Sequence, residues 1–301
     1  MIDILMATYN GERYIRQQIM SLQSQTYSDW RLVVHDDGSK DKTVEIVRSL
    51  AEYDNRIVVL DDGIKCGSPA SNFLHLVHNS TSEYAMFCDQ DDIWFDNKVV
   101  SMYNAIKVMD NTMPTVVYAD AYVWYPEEGI DGLANGYVAK NLKQFLFQNS
   151  GIQGCSTIFN RAMAQQMSKY NGRCAMHDHL LQFIGCAFGN VGYLPIPLIL
   201  YRQHRSNFTG GEAFSASLMD RLIKHSSIPV MTRAHLNSNI DMIQTYENLL
   251  SDADKQLCKE YLSLPEKSKI SKILTVLKCQ FTLGGKRYPL LAKLVLRKYT
   301  I

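Results

Sequence analysis

Nowhere in this 301-residue chain do about 18 apolar residues follow one another, so no segment meets the length criterion for a bilayer-spanning helix. The opening residues Met1 to Tyr9 lack the basic start and long apolar stretch of a secretory signal, and no export is expected. Seven cysteines, an odd number at irregular spacing without Cys-x-x-Cys, supply neither a disulfide framework nor a zinc motif; reduced thiols in the cytosol fit them. Neither Gly-x-x-x-x-Gly-Lys-Ser/Thr nor Gly-x-Gly-x-x-Gly occurs, which disfavours P-loop and dinucleotide-binding folds. Internal repeats and low-complexity segments are also missing. A net charge of +1 argues against a dedicated nucleic-acid binder, so no nucleic-acid partner is expected. The last absence is local: Lys267 to Lys298 holds nine Lys or Arg and no Asp or Glu, which leaves the first 266 residues net acidic.

What is present is enough apolar material, 46% of residues, to bury a full core. The first half alternates short apolar runs with amphipathic stretches, the pattern of helices packed on a largely parallel sheet. Ile2 to Met6, Arg31 to His35, Ile57 to Leu60 and Tyr84 to Cys88 read as strands. Between them fall helix faces marked by Ile15, Ile19 and Leu22, by Val44, Val47 and Leu50 behind an N-cap at Asp41, and by Phe73, Leu76 and Val77. Val99, Tyr103 and Ile106 mark the next helix. Val116 to Tyr125, Cys155 to Phe159 and Val191 to Tyr201 read as later strands, and Glu127 to Gly136 as a polar loop. Beyond a boundary at Gly210-Gly211 the chain is strand-poor, with helices expected around Leu218 to Lys224, Ile240 to Leu250 and Leu257 to Leu262. Residues 1–210 are therefore expected to form an α/β domain and residues 211–301 a helical C-terminal region.

The segment Tyr84 to Trp94 brings Asp89, Asp91 and Asp92 to the end of a buried strand. Three carboxylates within four residues repel one another without a counterion, so either a bound metal or an unusual protonation state is expected there. A solvated acidic turn capping the helix that begins near Asp96 is the other reading. Four loops follow strand ends: Ala7 to Gly11, Asp36 to Ser39, Lys65 to Ser68, and Asp89 to Asp92. In an open α/β sheet such loops converge on one crevice, suited to a nucleotide. Helix N-termini after Asn10 and Ser39 could direct N–H groups toward phosphates.

Thr8-Tyr9-Asn10 after the first strand, the Asp36-Asp37-Gly38-Ser39 turn, Asp-x-Asp at Asp89 to Asp91 and two later elements resemble the family 2 glycosyltransferases. These are inverting enzymes of the GT-A fold, and the resemblance covers roughly residues 1–210. It implies a mixed, mostly parallel Rossmann-like sheet and a nucleoside diphosphate sugar as donor. Asp37 would accept the N3–H of uracil or thymine, since a carboxylate can only accept and cytosine offers no proton there; an Asx turn is the plain alternative. Thr8 and Lys65 are weaker candidates for base or phosphate contacts. The resemblance makes Asp91 a ligand of Mn or Mg and places Asp89 toward the ribose or the metal. His204 in Tyr201 to His204 is a further possible ligand that would favour Mn, or else a hydrogen-bonded histidine at a strand end. Arg202 is a candidate for phosphate, and Asp92 for the donor sugar or a helix cap.

An inverting transferase needs a base for the acceptor hydroxyl, and the resemblance assigns it to Asp178 in Met176 to His179. Relatives often carry Glu-Asp here, so His177 departs from the pattern; His177 and His179 are candidate bases or acceptor contacts, and a helix start capped by Asp178 is the bland reading. Gly151 to Ser156 resembles the acceptor-side loop, in which Gly154 would let backbone approach a sugar. The Asp-Gln-Asp-Asp-Ile-Trp form and the short Tyr-Arg-Gln-His segment resemble bacterial polysaccharide and O-antigen transferases, including rhamnosyltransferases. Expected partners are a UDP- or dTDP-sugar and a saccharide acceptor, lipid-linked in many relatives. In the tail, Ile270, Ile273, Leu274 and Leu277 share a helix face with lysines off it, which suits either an anionic membrane at the inner face of the cell or packing on the domain. A non-catalytic nucleotide- or glycan-binding protein and an aspartate-nucleophile phosphatase remain as other classes.

Overall fold

Strand alternation divides the core into two layers. On β1 (Ile2–Thr8), Ile2, Ile4 and Met6 enter the cluster that holds Ile15, Ile19 and Leu22 of α1 (Ile15–Gln23). Leu5 instead joins the opposite cluster with Val33 of β2 (Trp30–Asp36), because successive side chains point to opposite faces. β3 (Ile57–Leu60) follows α2 (Thr43–Ala51), and β4 (Tyr84–Cys88) follows α3 (Pro69–Asn79). On β4, Tyr84, Met86 and Cys88 face the α1 layer, whereas Ala85 and Phe87 face Phe73, Leu76 and Val77 of α3. A strand covered on both faces reads as a continuous apolar run, and Tyr84 to Cys88 is one.

The computed structural model describes residues 1–134, 137–148, 152–204 and 229–300. After β5 (Ile93–Trp94) and α4 (Lys98–Ile106) come β6 (Thr115–Tyr125), β7 (Gly129–Leu133), α5 (Leu142–Phe145), β8 (Thr157–Asn160), α6 (Arg161–Met167), α7 (His177–Phe188) and β9 (Asn190–Arg202). Among the described residues the strands form one mixed sheet in the order β3-β2-β1-β4-β8-β6-β9-β5, with β7 against β6. β3, β2, β1 and β4 are parallel, so their carboxyl ends and following loops lie along one edge. β8 joins antiparallel to β4 and β6, and β9 runs parallel to β6.

Among the described residues four helices follow: α8 (Arg233–Tyr246), α9 (Asp252–Leu262), α10 (Lys269–Cys279) and α11 (Arg287–Leu296). They share one apolar cluster with the α/β part, since Tyr261, Val276, Phe281, Leu290 and Leu294 belong to the same core as Phe87, Phe159 and Phe183. The expected boundary at Gly210-Gly211 and the expected helix at Leu218 to Lys224 lie outside the described residues, as does Gly151. Among the described residues no helix is long and apolar enough to cross a membrane, and all seven cysteines are free thiols.

Two local expectations need correction. The stretch expected as a polar loop contains β7, whose five residues are all exposed and include two glycines, so no apolar alternation signals it. The helix expected behind an Asp41 cap begins later, with Lys42 at the N-cap position. Asp41 still caps in effect: its carboxylate accepts from Thr43 N (3.0 Å), Thr43 Oγ1 and Glu12 N.

Candidate active site

The loops after β1, β2 and β4 are fastened to one another by side chains acting on backbone. Asp36 makes the tight turn: it accepts from Gly38 N, Ser39 N and Ser39 Oγ, and from Thr8 Oγ1 at 2.8 Å. Thr8 is buried and gives its hydroxyl proton to Asp36, so the structure places it beneath the turn rather than open to a ligand. Gly38 holds φ +89°, and a Cβ there would meet Lys65 Cε at 3.1 Å, so the Lys65 side chain lies across this glycine. Asp37 Oδ1 accepts from Cys66 N (2.5 Å) and Gly67 N (3.1 Å); Oδ2 takes no hydrogen bond among the described residues.

Gln90, the middle residue of the Asp-x-Asp motif, joins the first loop to the acidic one. Its amide donates to Tyr9 O and accepts from Tyr9 N, both at 3.0 Å. Gly11 faces that amide so closely that a Cβ would come within 2.3 Å of Gln90 Oε1. Both contacts escaped the sequence, although a glycine directly after Asn10, itself left-handed at φ 48°, marks the tight approach.

The acidic segment separates into two sets. Asp91 Oδ2 meets His204 Nε2 at 2.8 Å, and the His204 ring stacks on Tyr14 at 4.7 Å. Asp89, Asp92 and the Cys155 thiol form the other set, with ligand atoms within 4.8 Å of one another. Burial, reinforced by Asp91, pushes Asp89 up to about 7. Burial and its two neighbouring carboxylates push the fully buried Asp92 well up as well. Asp92 Oδ1 accepts from Arg202 N at 3.0 Å, while Oδ2 meets no N–H or O–H donor. Oxygen and imidazole donors with surplus negative charge fit a divalent cation.

Part of that charge is met from below. Lys98 is wholly buried, donates from Nζ to Cys155 O at 2.5 Å, and lies 3.4 Å over the Trp94 ring. Burial lowers it to about 8 despite the carboxylates that favour its charge. The sequence carried a signal that went unread: Lys98, Met102 and Ile106 fall at i, i+4 and i+8 on the apolar stripe of α4. Arg202 does not present its guanidinium as a phosphate clamp. It is 4% exposed, donates to Asp91 O and Gln17 Oε1, and packs on the Tyr14 and Trp124 rings.

Asp178 lies in the first turn of α7, partly exposed, with Oδ2 accepting from Gly154 N at 3.2 Å. Burial raises it to about 6, against the backbone N–H groups of Gly154, His179 and Asp178 itself. Its charge also acts on Asp89, so the two carboxylates share one electrostatic neighbourhood. Gly154 is required by its neighbour, since a Cβ there would meet His177 Nε2 at 2.3 Å.

The reading of His177 and His179 as candidate bases or acceptor contacts is corrected: both rings are buried, His177 against Gly154 beside the crevice. His177 packs on Phe73 and Phe87 at 4.0 and 4.5 Å and is 3% exposed. His179 stacks near Phe145 and bonds Asn239 at 2.9 Å. Burial brings both down to about 3, so they are neutral, enclosed rings.

Fold and crevice together define a glycosyltransferase of the GT-A class. The chain belongs to glycosyl transferase family 2, whose model matches residues 3–168, more than half of its length. A dTDP-rhamnosyl transferase from Shigella flexneri is 29% identical over 217 residues, covering 68% of this chain and 73% of that protein. An Escherichia coli UDP-Glc:α-D-GlcNAc-diphosphoundecaprenol β-1,3-glucosyltransferase is 27% identical over 199 residues, covering 62% and 74%. Among solved structures, Staphylococcus aureus TarS 1-349 in complex with UDP-GlcNAc superposes with a TM-score of 0.55 at 16% identity, over 92% of this chain and 80% of that one. A Pyrobaculum calidifontis mannosyltransferase in complex with GDP-Man and Mn2+ gives 0.53 at 14%, over 92% and 73%. Family membership removes the phosphatase reading and makes the chain an enzyme of polysaccharide-building type.

Proposed function

We propose that the protein transfers one sugar, with inversion, from a UDP- or dTDP-sugar to a saccharide acceptor, with a divalent cation in the donor site. The observation that carries this reading is the meeting of Asp178, lifted to about 6 and anchored on Gly154 N, with the Asp89–Asp91 segment in one crevice. Asp37, braced by Cys66 and Gly67, would accept the base N3–H, and the Lys65 side chain lies across the next residue, Gly38. Asp91, with Asp89 and His204, would hold the cation, which would supply charge neutralisation for the leaving diphosphate. Asp178 takes the acceptor hydroxyl proton as that oxygen bonds the anomeric carbon and the bond to the diphosphate breaks on the opposite face. The acceptor named for the Escherichia coli relative, a GlcNAc-diphosphoundecaprenol, favours a lipid-linked saccharide.

With Mn2+ present, UDP or dTDP is expected to raise the melting temperature more than CDP does, because cytosine has no N3 proton for Asp37. Equal stabilisation by CDP would remove Asp37 from base recognition. Transfer itself is read with a panel of UDP- and dTDP-sugars on a lipid-linked oligosaccharide.

The same reading places the enzyme at the anionic inner face of a cell membrane. Ile273, Val276, Leu290 and Leu294 pack inward, whereas Ile270, Leu274 and Leu277 on α10 are 72%, 60% and 42% exposed, and Val295 and Leu296 on α11 are exposed as well. Lys269 Nζ donates to Val295 O, which joins the two exposed edges, and Lys286, Arg287 and Lys298 are exposed cations on the same two-helix unit. Removing the tail would strip core residues, so the sharper test is Ile270→Ser/Leu274→Ser/Leu277→Ser. Its partitioning to anionic liposomes is expected to weaken about tenfold or more, with the melting temperature kept; undiminished sedimentation would refute the membrane face.

A further inference from the structure

A second group of ligating side chains lies on the α3 side of the sheet, apart from the acidic segment. His35 stands near the end of β2, two residues before Asp37, and faces α3 in the same strand alternation as Val33. Asn72 and His75 are neighbours on one face of α3, at i and i+3. Asp62 comes from the segment that follows β3.

The hydrogen bonds determine which nitrogen of His35 carries the proton. Asn72 Nδ2 donates to the backbone O of His35 at 3.2 Å, so its Oδ1 is the atom 2.6 Å from His35 Nδ1. An amide oxygen only accepts, so Nδ1 must be N–H, and a neutral His35 then presents its lone pair at Nε2. That lone pair faces the Asp62 carboxylate, which also accepts from His75 Nε2–H. Nε2 lies 3.4 Å from Asp62 Oδ1, and His75 Nε2 lies 2.7 Å from Asp62 Oδ2. The two imidazole rings are 4.6 Å apart between centroids. One ligand atom from each of the three residues lies within 4.8 Å of the others. A lone pair facing a carboxylate is repulsive unless a proton or a metal cation stands between them.

We propose that His35, Asp62 and His75 form a binding site for Zn2+ or a similar borderline divalent ion, separate from the donor cation. Metal-binding histidines commonly give their other N–H to an oxygen acceptor, as His35 does to Asn72. Tetrahedral zinc, with bonds of about 2.0–2.2 Å, sets its ligand atoms about 3.3 Å apart. The 3.4 Å pair already has that spacing, and the 2.7 Å pair must open by roughly half an ångström. Two imidazoles and a carboxylate are a borderline donor set suited to Zn2+ rather than to Mg2+. His35 is enclosed, while Asp62 and His75 keep side-chain exposures of 33% and 18%, which leaves an entry path and room for water in a fourth position.

The ion would act on the loop that braces Asp37. Asp62 begins the segment whose Cys66 and Gly67 N–H groups hold the Asp37 carboxylate, and Asp62 itself accepts from Ile64 N at 2.9 Å. Metal at this point would tie that segment to both β2 and α3.

The test uses full-length protein stripped with a chelator, in an Asp91→Asn background that removes a ligand of the other cation site. Titration with Co2+ is expected to give a visible ligand-field band saturating at one equivalent, and Zn2+ should abolish the band and raise the melting temperature. His75→Gln and, separately, Asp62→Asn should each lose the band and weaken Zn2+ binding by about 100-fold or more, while keeping the far-ultraviolet circular dichroism of the parent. No band in the parent would overturn the site. Unchanged Co2+ spectra and Zn2+ affinity in both variants would overturn it too.

Discussion

Asp178→Asn is expected to lower kcat for sugar transfer by about 10²- to 10⁴-fold and to leave the affinity for the nucleoside diphosphate nearly unchanged. Asparagine keeps an oxygen for the Gly154 N–H but cannot take a proton from the acceptor hydroxyl. In the wild type, the base must be ionised, and Asp178 stands at about 6, so activity is expected to fall as pH drops through that value. The variant's residual rate should not show this limb. Stability moves the other way. A carboxyl raised from 3.8 to about 6 by folding binds its proton more tightly in the folded state, so it weakens the fold most above about 6. The neutral variant should therefore melt at or above the wild-type temperature at pH 8. Calorimetry alongside kinetics separates the two: a variant that loses activity and stability together would make Asp178 a structural residue.

The residues that sequence reading found, and those it missed, differ in how their contacts are made. β1, β2, β3 and β4 were legible because each holds a short apolar run, broken in β1 by Asp3, and bounded by turn-forming residues, and the parallel order then places four loops at one edge. Asp89 and Asp91 stood out as carboxylates crowded at the end of a buried strand, whereas the roles of Asp37 and Asp178 were reached through a resemblance; nothing in local spacing says that Gly154 and the first turn of α7 adjoin the end of β4. Gln90 and Lys98 were missed because their roles are tertiary: one clasps the Tyr9 backbone and the other is buried beneath the carboxylates it balances. The run His177-Asp178-His179 shows the limit of reading adjacent polar residues as one functional unit. At a helix start, neighbours project in different directions, so Asp178 reaches the crevice while both histidines enter the aromatic core.

Asp91→Asn should cost kcat about 10²- to 10³-fold and abolish the Mn2+-dependent part of nucleoside diphosphate binding. The reason is the charge balance at the strand end. Asp89 is held at about 7 by burial and by Asp91, and the buried Asp92 is pushed up beside them, so without a cation the segment carries protons at neutral pH. For Asp89 the folded state binds its proton more tightly than the unfolded chain does. Metal-free protein should therefore lose stability as pH rises from about 4 to about 7 on this account, and Mn2+ should raise the melting temperature more at pH 8 than at pH 6, because it must displace those protons. In Asp91→Asn one source of repulsion on Asp89 is gone, so the pH dependence of the metal-free melting temperature should flatten while the Mn2+ increment disappears. His204→Gln supplies the complementary result. It removes the imidazole 2.8 Å from Asp91 and leaves the carboxylates, so any preference for Mn2+ over Mg2+ should narrow without loss of cation dependence. An undiminished Mn2+ increment in Asp91→Asn would instead assign the cation to Asp89, Asp92 and the Cys155 thiol.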